Sequence, residues 1–322
     1  MMKPLAKKQS NGGKISIKTK RLNKTETGLF VVRDEDDWAI SPWFEKFGKE
    51  RVVRAKRSFT REFVKITQKA FLEVLHPDTS RKVEVRFYHL NEQKKYVAKL
   101  KKSGNLLNLD ICTNDGLGIN FSREFRLSDG QLVARGLVER PGFPDMRNQL
   151  CSIPPGDYTL VDDDIATGIT VKKIVKMLKK SVRIKKVKTL IDYSASEYYK
   201  KYPNVPRRKT IRVVDLHNFI IGSRDSGLVV RLPNNVLGRA PYIEPYASNV
   251  SRASIPYSSE KLFSYRLWEM NKAFFSALGK VYISDLDSHT QGLFLYAGFK
   301  RNTLMVDLCE YHLRFLRNTL IT

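Results

Sequence analysis

Residues 158–170 read Tyr158-Thr159-Leu160-Val161-Asp162-Asp163-Asp164-Ile165-Ala166-Thr167-Gly168-Ile169-Thr170. The opening four are β-branched, apolar or aromatic and run into three acids. That is the pattern of a strand delivering carboxylates to its carboxyl edge, where open α/β sheets hold ligands. Thr167, Gly168 and Thr170 then open a stretch with apolar residues at Val171, Ile174, Val175 and Leu178, the spacing of a helix. A helix amino terminus offers unpaired N–H groups and the positive end of a dipole, so a phosphate can settle there. Gly168 lets the backbone approach it, and the threonine hydroxyls add donors. The residues describe a cradle for a sugar phosphate, or else a plain helix cap with solvated carboxylates.

Downstream of the helix, residues 187–191 form an apolar strand ending at Asp192, which completes a strand-helix-strand unit of the kind found in parallel sheets. Upstream, residues 82–90 alternate in strand fashion, and 106–112, 118–121 and 131–138 read as further strands between Gly, Asn and Asp turns. Residues 59–75 have helical periodicity closed by Pro77, and short apolar-aromatic segments at 29–32 and 38–47 precede them. Past the unit, Val213, Val214 and the run Phe219-Ile220-Ile221 lead to Gly222-Ser223-Arg224-Asp225-Ser226-Gly227. This is either a turn whose backbone N–H groups and Arg224 suit a second anion, or a hairpin turn with a surface arginine. Residues 260–278 form an amphipathic helix stopped by Gly279, and 304–320 close the chain as another. Residues 281–283 read as a short strand ahead of Asp285 and Asp287.

The chain of 322 residues with 42% hydrophobic content is long enough to bury a substantial core. It contains no run of eighteen apolar residues, and its first residues lack the apolar segment of a signal peptide, so a soluble, cytoplasmic protein with no membrane partner is expected. Its three cysteines, Cys112, Cys151 and Cys309, are odd in number and far apart, which argues against a disulfide framework or zinc site. The five histidines are scattered without ligand spacing.

The formal charge of +25 points to an anionic partner. Two blocks concentrate it. From Lys3 to Lys24 the chain carries basic residues and no acid, which reads as a disordered basic arm. Lys172, Lys173, Lys176, Lys179, Lys180, Arg183, Lys185, Lys186 and Lys188 fall on the helix after the turn and in the connection that follows it. This stripe is either a solvated face or a surface for nucleic acid.

Residues 161–170, in the form Val-Asp-Asp-x-x-Ala-Thr-Gly-x-Thr, resemble the phosphoribosyl pyrophosphate (PRPP) motif of the type I phosphoribosyltransferases, in the wording of the adenine-type members. The resemblance covers about a dozen residues with the flanking strand and helix. It implies an α/β fold: a phosphoribosyltransferase-like parallel sheet flanked by helices, here with a β-rich N-terminal section and a helical C-terminal section. The chain then divides into a basic arm (1–28), a helical and β-rich region (29–138), a phosphoribosyltransferase-like core (139–256) and a helical region packing on it (257–322).

By the same resemblance, Asp162 and Asp163 are the catalytic pair, holding the ribose hydroxyls directly or through Mg²⁺ and water. Asp164, Ile165, Ala166, Thr167, Gly168, Ile169 and Thr170 wrap the 5′-phosphate. Arg224, read from its own Gly-rich turn and not from the resemblance, is a candidate pyrophosphate clamp. The implied reaction is a Mg²⁺-dependent transfer of ribose 5-phosphate from PRPP to a nitrogenous base, within nucleotide metabolism. The basic arm and the stripe from Lys172 to Lys188 admit a base of a nucleotide or nucleic acid as acceptor. The alternative is a PRPP-binding, nucleic-acid-binding regulator without turnover. Two departures stand out. The family often has an acid where this chain has Ala166, although adenine-type members share the alanine. Its pyrophosphate loop also precedes the motif, whereas Arg224 follows it.

Overall fold

Apolar strands buried on both faces organise the molecule, whose computed structural model describes residues 28–34, 42–75, 83–114, 117–128, 131–163, 169–190, 211–224, 227–233, 235–253 and 255–320. Its strands are β1 (Gly28–Asp34), β2 (Val83–His89), β3 (Asn105–Asn108), β4 (Phe121–Ser128), β5 (Gln131–Glu139), β6 (Gly156–Asp162), β7 (Val182–Thr189), β8 (Ile211–Asp215), β9 (Leu228–Arg231) and β10 (Leu237–Ala240). Its helices are α1 (Lys49–Leu75), α2 (Leu90–Lys101), α3 (Met146–Cys151), α4 (Ile169–Met177), α5 (Val250–Ala253), α6 (Glu260–Leu278), α7 (Ser288–Tyr296) and α8 (Met305–Leu320).

Among the described residues the strands form three sheets. Two, ordered β2-β1-β8 and β3-β6-β7, are parallel throughout. The third, β10-β9-β4-β5, joins two antiparallel pairs through a parallel β4–β9 contact. The protein is thus mixed α/β, with parallel sheets flanked by helices. The strand-helix-strand unit is present as β6, α4 and β7, with β6 and β7 parallel in register Gly156↔Val182 to Asp162↔Thr189.

Successive residues of a strand face opposite ways, and both central strands use this to join separate cores. In β1, Val32 belongs to the large core built with α1, α6 and α8, whereas Val31 joins a small cluster with Tyr88, Val97, Val161 and Leu190. In β6, Leu160 belongs to the core under α4, with Leu107, Tyr158 and Ile174, whereas Val161 turns to that same small cluster. Val213 and Val214 of β8 divide in the same way. Burial on both faces explains why these strands read as continuous apolar runs. The small cluster is the seam between the two parallel sheets.

Several elements differ from their sequence reading. Residues 29–32 are not a prelude to a helical region but the middle strand of a parallel sheet, and α1 starts at Lys49, ten residues ahead of the expected start. The strand expected at 187–191 is β7 at Val182–Thr189, so the later part of the basic stripe, expected in a connection, lies on a strand: Lys172, Lys173 and Lys176 are on α4, while Arg183, Lys185, Lys186 and Lys188 are on β7. Parallel pairing with buried β6 outweighs the polar composition of β7, and lysines are well suited to a sheet edge. In place of a strand at 118–121 there is a single bridge, Asn108↔Gly118, before β4. In place of one at 281–283 there is a bridge, Tyr282↔Leu304, and a 3₁₀ turn at Ile283–Asp285. Helix α6 spans the residues its periodicity indicates.

The regions 29–138 and 139–256 are interleaved: β1 pairs with β8, and β4 with β9, across that boundary. The basic arm lies outside the described residues, which begin at Gly28. No helix among the described residues is long and apolar enough to cross a membrane.

Candidate functional site

Three parallel strands, β1, β6 and β8, end on the seam with the same step. Two residues beyond the valine that faces the seam comes a charged residue on the same face: Arg33 after Val31, Asp163 after Val161, Asp215 after Val213. These charges converge. Arg33 is 1% exposed and donates from Nε to Gln93 Oε1 at 2.7 Å and from Nη2 to Asp110 Oδ1 at 2.6 Å. Its Nη1 faces Asp163 Oδ2 at 3.3 Å and Asp215 Oδ1 at 3.7 Å. A guanidinium matches this task because its planar fork offers five donors in fixed directions.

Behind Arg33 the network is closed. Asp110, just past β3, accepts at Oδ2 from the backbone N–H of Thr113 (3.0 Å) and from its hydroxyl (2.6 Å). Gln93 of α2 donates in turn to the Tyr88 carbonyl at 2.8 Å. Toward solvent the network opens: the Asp215 side chain is 12% exposed and that of Asp163 is 26% exposed. Arg252 of α5 flanks this side, 3.8 Å from Asp215 Oδ2 and above the Tyr242 ring at 5.0 Å from its centre. The Tyr242 hydroxyl, and after it Asp215 and Asp163, favour the charged form of the Arg252 guanidinium.

Asp162 has the opposite orientation and a different chemistry. It is one residue out of step with Asp163, and the Asp163 backbone N–H donates to its Oδ1 at 3.0 Å. Burial, then the adjacent Asp163 charge, with Asp110 contributing less, push its carboxyl well above the usual carboxylate range. Of the two motif acids, Asp163 is the one that faces the Arg33 guanidinium. On the far face of β1, Asp34 pairs with Lys56 of α1 at 2.7 Å and is separate from the cluster.

The turn that holds Asp164, Ile165, Ala166, Thr167 and Gly168 lies outside the described residues, which resume at Ile169, the exposed first residue of α4, and Thr170. Thus β6 and α4 flank that turn with the acids at its start and a helix amino terminus at its end. Arg224 is exposed on the turn beginning at Gly222. That turn is anchored toward the helices: Trp43 Nε1 donates to the Gly222 carbonyl, and a side chain added at Gly222 would meet Leu286 and Phe44.

Carboxylate oxygens are the donors that a hard cation such as Mg²⁺ takes. Among the described residues, however, no group of three or more Asp, Glu, His or Cys is arranged to hold a metal. Arg33 occupies the position between Asp110, Asp163 and Asp215 where such an ion would neutralise them. A cation caged by these side chains alone does not fit, whereas a ligand hydroxyl could donate to the solvent-facing side of Asp163.

Sequence reasoning missed Arg33, Gln93, Asp110, Asp215 and Arg252. The endings Val31-Val32-Arg33 and Val213-Val214-Asp215 carried a usable signal, since both place a charge two residues after a valine, as Val161-Asp162-Asp163 does. Gln93 and Arg252 carried none, because they arrive from helices whose packing no local pattern encodes. No family model matches the chain, and no curated protein and no solved structure matches it. What the fold and site define by themselves is a mixed α/β protein with an arginine-centred carboxylate cluster where its parallel sheets meet.

Proposed function

We propose that this protein binds PRPP at the carboxyl ends of β6 and β8 and transfers its ribose 5-phosphate to a nitrogenous base, on a phosphoribosyltransferase-like fold. The reading rests on one observation: Asp163 and Asp215 both face the Arg33 guanidinium on the open side of the seam, and Asp163 ends the segment that precedes α4. Carboxylates so placed accept hydrogen bonds from vicinal ribose hydroxyls, and the amino end of α4 favours the 5′-phosphate. A base nitrogen forms a bond to C1 as the C1–oxygen bond to pyrophosphate breaks, with both electrons leaving on pyrophosphate. Positive character building on the ribose ring is favoured near the Asp163 and Asp215 carboxylates. Arg33 keeps the two from repelling each other and fixes their direction. Mg²⁺ arriving with the substrate would supply positive charge to the departing pyrophosphate, and Asp163 would be the carboxylate to hold it. Arg224 remains the candidate for the pyrophosphate side.

Mixing the protein with PRPP, Mg²⁺ and a panel of purines and pyrimidines tests this directly. Pyrophosphate release that falls at least about a hundredfold in Asp163→Asn is expected. Calorimetric binding of PRPP without release under any acceptor would favour a second reading, a PRPP-binding regulator of nucleic acid. That reading draws on the exposed lysines of α4 and β7 beside the same unit. No binding of PRPP at all defeats both.

A further inference from the structure

We propose that the groove between α1 and α6 is a docking site for an acidic amphipathic helix of a partner protein. The groove encloses about 680 Å³. Its floor is apolar: Phe59 and Ile66 from α1 meet Met270, Ala273, Phe274 and Ala277 from α6. The α6 residues follow the i, i+3, i+4, i+7 spacing of one helix face. Ala273 and Ala277 are exposed there, and their small side chains leave room for a third helix to lie close against the first two. From Arg51 to Lys69 the α1 wall runs roughly 27 Å, enough for about five turns of a guest helix.

Charge selects the guest. The rim carries Arg51, Arg54, Lys65, Lys69 and Arg266 against Glu62 and Glu269. Both acids are already held within their own helices, Glu62 by Lys65 at 2.7 Å and Glu269 by Arg266 at 2.6 Å. The excess is three positive charges, concentrated at Arg51, Arg54 and Lys69. The chain's own arm, basic and free of acids from Lys3 to Lys24, is repelled by such a rim. A second copy docking through the same groove would set this rim against itself. Nucleic acid gains little from an apolar floor. A helix with leucines along one face and glutamates on its flanks satisfies floor and rim together.

The test uses a fluorescein-labelled 18-residue peptide with leucine at i, i+3, i+4 and i+7 and glutamate on the flanks, titrated into the full chain by anisotropy. Saturable one-to-one binding is expected, weakened about tenfold or more by Arg54→Glu with Lys69→Glu. It is expected to weaken equally with Ala273→Trp, which fills the floor from an exposed position and leaves the circular dichroism unchanged. Equal binding of a peptide of the same composition in scrambled order would overturn the proposal, because charge alone would then suffice. So would affinity unaffected by either variant, displacement of the peptide by a single-stranded oligonucleotide in an Arg54- and Lys69-dependent way, or sedimentation showing self-association that Ala273→Trp abolishes.

Discussion

Arg33 holds four groups from four segments, and its replacement by methionine keeps an unbranched apolar stem while removing all of its donors. Asp110, 4% exposed, would be left as a buried carboxylate without its cation. Truncating one partner of such a network costs about 3–5 kcal/mol, so urea unfolding of Arg33→Met is expected to show a loss of that size. Asp163→Asn, at the open side, is expected to cost no more than about 1 kcal/mol while removing PRPP binding. A comparable loss of stability in both variants would mean that the cluster is purely structural.

His312 offers a second measurement at this scale. It is enclosed by aromatic rings, stacked on Trp268 at 4.3 Å between centres, with Nε2 at 3.0 Å from the Tyr246 hydroxyl. Burial pushes its imidazole down from near 6.5 to about 4. The unfolded chain therefore takes up this proton first. The associated stability is complete above about pH 6.5 and is lost as pH falls toward 4, by about 3 kcal/mol. Stability measured against pH in wild type and His312→Phe should differ in slope within that window and run parallel above it. The low-pH destabilisation is invisible in the sequence, where His312 is one of five scattered histidines.

At the scale of elements, β7 carries the basic stripe on a sheet edge. If this edge meets nucleic acid, each phosphate contact contributes a slope of about −0.9 in log affinity against log salt. Replacing Lys185, Lys186 and Lys188 with alanine is expected to lower the slope by up to about 3, leaving PRPP binding unchanged. An unchanged salt slope would assign the stripe to solvation. The β9–β10 hairpin tests backbone geometry instead. Gly227 has φ +85°, and an added Cβ would sit 2.3 Å from the Ala240 carbonyl oxygen. Gly227→Ala thus combines a left-handed backbone with a clash against main chain, and a thermal shift corresponding to more than about 1 kcal/mol is expected.

At the scale of the whole molecule, the middle strand of the β8 sheet comes from residues 28–34, and the large core joins Val214, Phe219 and Ile243 to α1, α6 and α8. A fragment of residues 139–256 lacks β1 and most of that core. It is expected to show no cooperative unfolding transition by circular dichroism, whereas residues 28–320 should unfold in one. An independently folded 139–256 fragment would support the four-part division of the chain.

The sequence by itself determined the β6, α4, β7 unit and helix α6, because local periodicity and turn residues there agree with burial. It also determined that β6 ends in acids. Only the tertiary structure decided that β1 and β8 are its counterparts across the seam, that Arg33 is the cation for those acids, and that the stripe bends from helix to strand. The physical reason is range. A period of two or 3.6 residues is written in neighbouring positions, while Arg33 meets Asp163 across 130 positions of chain through packing that neither segment encodes alone.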